Sequence, residues 1–176
     1  MTAPAAAIGF EGLLGTDGRS YSLSSFAEKQ LLVVIFSSNR CPTAKAFEER
    51  INAIQHDYAD RGVQVVAINS TDEHLYAEES FPAMVERARE GRYAFPYLKD
   101  TEQRAARAFG AECTLHAFIL DRDRRIRYRG RIEDSRNPDR ATTREVRDAL
   151  DDLLGGREVR VPETQAYGCA LDLAPA

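Results

Sequence analysis

Cysteine is scarce and scattered in this chain, with three residues, Cys41, Cys113 and Cys169, among 176. Such spacing excludes the dense, even disulfide framework of a small secreted scaffold, and in a reducing compartment these thiols are expected to be free. No apolar run approaches the ~20 residues of a membrane span, so no membrane association is expected. Residues Met1 to Ala7 carry no Lys or Arg ahead of their alanine stretch, which gives no sign of a targeting segment, and a soluble cytoplasmic protein is expected. A basic stripe is also missing: 24 Lys and Arg stand against 28 Asp and Glu, the net charge is -4 and the pI is near 5.5. That balance disfavours nucleic acid and anionic lipid as partners. No internal repeat, Ser-His-Asp set, phosphate-binding glycine loop or paired-carboxylate signature stands out.

What is present is enough apolar content, 43% of the chain, to bury one sizeable core. The boundaries drawn are a disordered N-terminus over 1–9, a domain over 10–156 and a C-terminal tail over 157–176. Gly15-Thr16-Asp17-Gly18 between two short apolar segments reads as the turn of an N-terminal hairpin. Residues 31–37 and 63–69 read as buried strands, joined by a helix over 42–60 on which Phe47, Ile51, Ile54 and Tyr58 recur at helical spacing. Strand, helix and strand in that order predict parallel pairing. Residues 72–80 read as an exposed acidic connection. Helices are predicted over 81–89, 101–108 and 143–154, and an antiparallel strand pair over 116–120 and 126–132. The sum is an α/β fold, a central mixed β-sheet flanked by helices, in a thioredoxin-like arrangement.

Cys41 falls at the junction of the first buried strand and the first long helix. Pro42 suits the first helical position, which makes Cys41 the N-cap with its sulfur facing the free N–H groups of the first turn. Helix N-termini and neighbouring cations lower thiol pKa values from ~8.5 into the range ~3.5–7.5, and Arg40 and Lys45 are close in sequence. Lys45 has an alternative reading as a solvated side chain paired with Glu48 or Glu49. His56 and His74 read as surface residues without a role.

Residues 31–132 resemble the AhpC/TSA-type redoxins, the peroxiredoxin-like branch of the thioredoxin superfamily. Cys41 matches the attacking cysteine of that family, and Ser38 the hydroxyl residue three positions before it. Two departures stand out: Ala44 replaces the second cysteine of a CxxC motif, and Leu115 stands where thioredoxins carry a cis-proline and typical peroxiredoxins an arginine. Arg40, Arg127 and Arg129 are the candidates to replace that arginine, although Arg127 and Arg129 also read as solvent-facing strand positions.

The resemblance implies a thiol-dependent oxidoreductase with Cys41 as nucleophile, Cys113 as resolving thiol, and Ser38 and Lys45 in support. The substrate is then a small thiol, disulfide or hydroperoxide, the reductant is of thioredoxin type, and no cofactor is needed. Cys113 is equally readable as a buried structural thiol, with Cys169 in the tail as the alternative resolving residue, able to fold back or to pair with another subunit in a homodimer. Two other classes stay open. One is a copper or zinc site made by Cys41, Cys113 and His116. The other is a non-catalytic binding module on the same fold.

Overall fold

The β-branched and aromatic runs of the sequence form its strands. The structure, a computed structural model, describes residues 8–175. Its strands are β1 (Leu13–Gly15), β2 (Ser20–Tyr21), β3 (Leu31–Ser37), β4 (Val63–Asn69), β5 (Tyr97–Lys99), β6 (Ala117–Leu120) and β7 (Ile126–Gly130). The helices are α1 (Pro42–Tyr58), α2 (Phe81–Glu90), α3 (Arg104–Phe109) and α4 (Glu145–Leu154). All the strands join one sheet in the order β2-β1-β5-β4-β3-β6-β7. The parallel centre is β3, β4 and β5, with Leu31 opposite Val63 and Ser37 opposite Asn69, while β1, β2, β6 and β7 pair antiparallel. The expected hairpin, parallel core and mixed sheet are all present.

One strand went unpredicted. β5 is three residues long and follows Pro96, too short for a period to register, yet it completes the parallel centre and ends beside β4 at Lys99.

Alternation along the strands divides the core in two. Leu31, Val33 and Ile35 face α1 and α4 with Phe47, Ile51, Ile54, Val146 and Leu150, whereas Leu32, Val34 and Phe36 face α3 with Phe109 and the N-terminal Phe10 and Phe26. Each such side chain contributes about 1.5–3 kcal/mol by leaving water. After α1, Gly62 adopts the left-handed conformation at φ 80°, which turns the chain straight into β4.

The ends of the chain are better anchored than the boundaries drawn from sequence. Residues 1–7 of the expected disordered segment lie outside the described residues, but Ile8 already packs against the second core cluster. The C-terminal tail is docked. Arg129 N–H donates to Pro162 O and Thr164 N–H to Arg129 O, both at 3.1 Å, so the tail covers the open edge of β7 before Leu171 enters the second cluster. Among the described residues, no helix is long and apolar enough to cross a membrane.

Candidate active site

β3 delivers the chain through Ser38, Asn39 and Arg40 to Cys41, which is the N-cap of α1 with extended backbone angles (φ -67°, ψ 119°) and Pro42 in the first turn. The residue is 2% exposed. Its sulfur does not cap the helix as expected, because it is bonded to Cys169, 128 residues away, with the two Cα atoms 6.2 Å apart. That separation lies within the range a disulfide requires. The expectation of three free thiols is thereby corrected: Cys41 and Cys169 are bonded and Cys113 alone is free.

The expected partner, Cys113, is not joined to Cys41, and local backbone pairing gives the reason. Cys113 stands opposite Ala170 in an antiparallel bridge, and Thr114 N–H donates to Cys169 O at 2.9 Å. Successive residues of an extended segment point to opposite faces, so Thr114 shares the face of Cys169 while Cys113 points away. The Thr114 hydroxyl accordingly lies 3.3 Å from Cys41 Sγ and accepts the Cys169 N–H at 2.8 Å. Burial, with the Glu112 carboxylate nearby, pushes the Cys113 thiol up to about 11.

The metal set of Cys41, Cys113 and His116 is not assembled. Cys41 is in the disulfide, and His116 Nδ1 accepts Glu112 N–H at 3.2 Å while its ring stacks on Phe118 at 4.4 Å, within the second core cluster. Burial holds the His116 pKa below its ordinary value. Among the described residues, no group of three His, Cys, Asp or Glu side chains converges.

Ser38 is buried at the end of β3, and Lys45 is exposed on α1. Neither Glu48 nor Glu49 forms an ion pair with Lys45; Glu48 instead meets Arg87 at 3.2 Å. Of the three arginines, Arg127 is tied to Asp121 at 2.6 Å, at the far end of β6 from Cys41. Arg129 lies over Phe118, on the sheet face away from α1. Arg40 is beside Cys41 in sequence, with its guanidinium 3.4 Å above the ring centre of Tyr76.

Sequence reasoning missed three contributors. Glu79, inside the segment read as exposed, is fully buried, and its carboxylate accepts the Asn39 and Arg40 N–H groups and the Asn69 side-chain amide. Tyr97 completes this set, donating to Asn39 Oδ1 at 2.7 Å and accepting from Asn69 at 3.0 Å, with burial raising its pKa well above the ordinary range. Nothing local marks a glutamate in an acidic loop whose partners lie 40 residues earlier. Thr114 was also passed over, because it reads as a spacer between Cys113 and His116.

At Leu115 the backbone takes φ +64°, rare for a branched side chain and of the kind that clusters at functional sites. Its N–H donates to Phe36 O at 2.6 Å and its side chain is buried, and together these hold the loop against β3 with Thr114 facing Cys41.

Solved structures share this architecture closely. A hypothetical protein from Sinorhizobium meliloti 1021 matches with a TM-score of 0.86 at 33% identity over 97% of both chains. An uncharacterized conserved protein from Geobacillus kaustophilus matches with a TM-score of 0.84 at 35% identity over 100% of both. Peroxidoxin BcpB from Mycobacterium tuberculosis is similar in fold alone, with a TM-score of 0.57 at 20% identity over 72% of this chain and 82% of that one. No curated protein matches the chain. The fold is thioredoxin-like, and the Redoxin family model matches residues 1–150; the chain belongs to the Redoxin family.

Proposed function

We propose that this protein is a thiol-dependent oxidoreductase that cycles Cys41 and Cys169 between dithiol and disulfide, with Cys41 as nucleophile and Cys169 as resolving thiol. Membership of the Redoxin family supports thiol oxidoreductase chemistry in general. The observation that carries the reading is the bond from the N-cap of α1 to a tail cysteine 128 residues on, a closure that ties the C-terminal tail to the start of the first long helix.

In disulfide exchange the Cys41 thiolate attacks one sulfur of a substrate disulfide, forming a mixed disulfide and expelling the first substrate thiolate, which takes a proton. The Cys169 thiolate then attacks Cys41 Sγ, forms the internal disulfide and expels the second substrate thiolate. A dithiol reductant reverses the internal bond and is itself oxidised. With a hydroperoxide, Cys41 takes the distal oxygen as a sulfenic acid and an alcohol departs, after which Cys169 closes the same bond and releases water. Exchange is the favoured reaction. Cleaving an O–O bond calls for fixed positive charge beside the sulfur, and Arg127 and Arg129 are held elsewhere while Arg40 lies over Tyr76. Ser38 and Lys45 retain supporting roles, Ser38 as a buried hydroxyl before the nucleophile and Lys45 as a cation on the first helix.

Cys41 is buried in the oxidised form, so substrate reaches it only after Cys169 is released and the tail lifts. The test is turnover of hydroxyethyl disulfide and of tert-butyl hydroperoxide, with dithiothreitol as reductant. With the reductant present, Cys41→Ser is expected to fall to the uncatalysed rate and Cys113→Ser to retain activity; in a stoichiometric reaction without reductant, Cys169→Ser is expected to stop with half of the hydroxyethyl disulfide bound to Cys41, or with Cys41 as a sulfenic acid after tert-butyl hydroperoxide. Loss of activity in Cys113→Ser with retention in Cys169→Ser would overturn the assignment.

A further inference from the structure

We propose that Thr114 is a catalytic residue of this thiol chemistry, its hydroxyl donating the hydrogen bond that holds the Cys41 thiolate; the proposal rests on Cys41 being the nucleophile. The side chain is fully buried and its oxygen is 3.3 Å from Cys41 Sγ. That oxygen already accepts the Cys169 N–H at 2.8 Å, so the hydroxyl hydrogen is free to point toward the sulfur. No side-chain cap bond runs from the sulfur to the helix. The contact with Thr114 is the one side-chain hydrogen bond made by Cys41 Sγ among the described residues.

The contact has a direction across the reaction. A disulfide sulfur is a poor acceptor and a thiolate a strong one, so the bond gains strength as charge arrives on Cys41. When a dithiol attacks Cys169 Sγ, a new S–S bond forms there, the Cys41–Cys169 bond breaks, and its electron pair leaves on Cys41. Thr114 stabilises that leaving thiolate without giving up its proton. The second thiol of the reductant then attacks the mixed disulfide and frees Cys169, so one dithiol is oxidised as one disulfide is reduced. In the forward direction the same bond keeps Cys41 ionised for attack. The backbone of Cys169 bonds to this hydroxyl, so one side chain both registers the resolving cysteine and steadies the nucleophile.

The test uses the reduced Cys113→Ser/Cys169→Ser protein, in which Cys41 is the single thiol, and follows the rate of iodoacetamide alkylation against pH. Adding Thr114→Val is expected to raise the Cys41 pKa by about one unit, a roughly tenfold slower alkylation below it, as loss of a hydrogen bond to a charged group requires. Thr114→Ser, which keeps the hydroxyl, is expected to leave the profile in place. Should Thr114→Val fail to fold, Thr114→Ala removes the same group and the same shift is expected. An unchanged profile in the variant lacking the hydroxyl, or an equal shift in Thr114→Ser, would overturn the proposal. This pKa is read without any turnover, so failure of Thr114 and failure of the proposed enzymatic activity are separately visible.

Discussion

The carboxylate of Glu79 receives the backbone N–H of Asn39 on both of its oxygens, at 3.1 and 2.9 Å, across 40 residues of sequence. It also takes Arg40 N–H at 2.9 Å and the Asn69 amide at 2.8 Å, so a single buried side chain fixes the loop that presents Cys41 to the end of β4. Removing it leaves several buried donors without acceptors, each worth about 1–3 kcal/mol. Glu79→Ala is expected to lower unfolding stability in urea by about 3–5 kcal/mol, and Glu79→Gln to fall in between. A change below about 1 kcal/mol would show that these amides find other partners.

Gly168 places the tail. A Cβ there would overlap the carbonyl oxygen of Thr114, so only glycine lets the chain pass close enough for Cys169 to meet Cys41. Gly168→Ala is expected to keep the sheet and helices but to close the Cys41–Cys169 disulfide far more slowly after reduction. Counting free thiols with time after removal of the reductant checks this. Closure at the wild-type rate would mean that the tail reaches Cys41 by another path.

Cys113 titrates late. Burial raises its folded pKa from the ordinary 9.0 to about 11, so between those values the folded protein holds a proton that the unfolded chain has lost. Its contribution to stability is therefore complete below about pH 9 and disappears as pH rises through about 11. Cys113→Ala lacks this term and is expected to lose less stability than wild type between pH 8 and 10.5 in urea titrations. At pH 8, iodoacetamide should modify Cys113 about tenfold or more slowly than free cysteine.

The sequence made β3 and β4 legible to the residue, because continuous Val and Ile runs bounded by a glycine and a polar loop carry their own limits. It placed Cys41 at the N-cap of α1 for a similar local reason, the proline at the first helical position. The disulfide partner was not legible. Which of Cys113 and Cys169 faces Cys41 is decided by the alternation at Thr114 and by a tail path fixed far away, at Arg129 and Thr164. Glu79 was hidden in the same way, since burial of a loop carboxylate depends on amides at Asn39 and Arg40 that no spacing in its own segment announces.

The pairing itself is the most direct test. The fully reduced protein, reacted with one equivalent of hydroxyethyl disulfide and blocked with iodoacetamide, is to be digested without reductant and its peptides mapped by mass. The account predicts that the peptides holding Cys41 and Cys169 are joined and that Cys113 is recovered unpaired. Recovery of Cys41 joined to Cys113, or of Cys41 still free and unreacted, would contradict it.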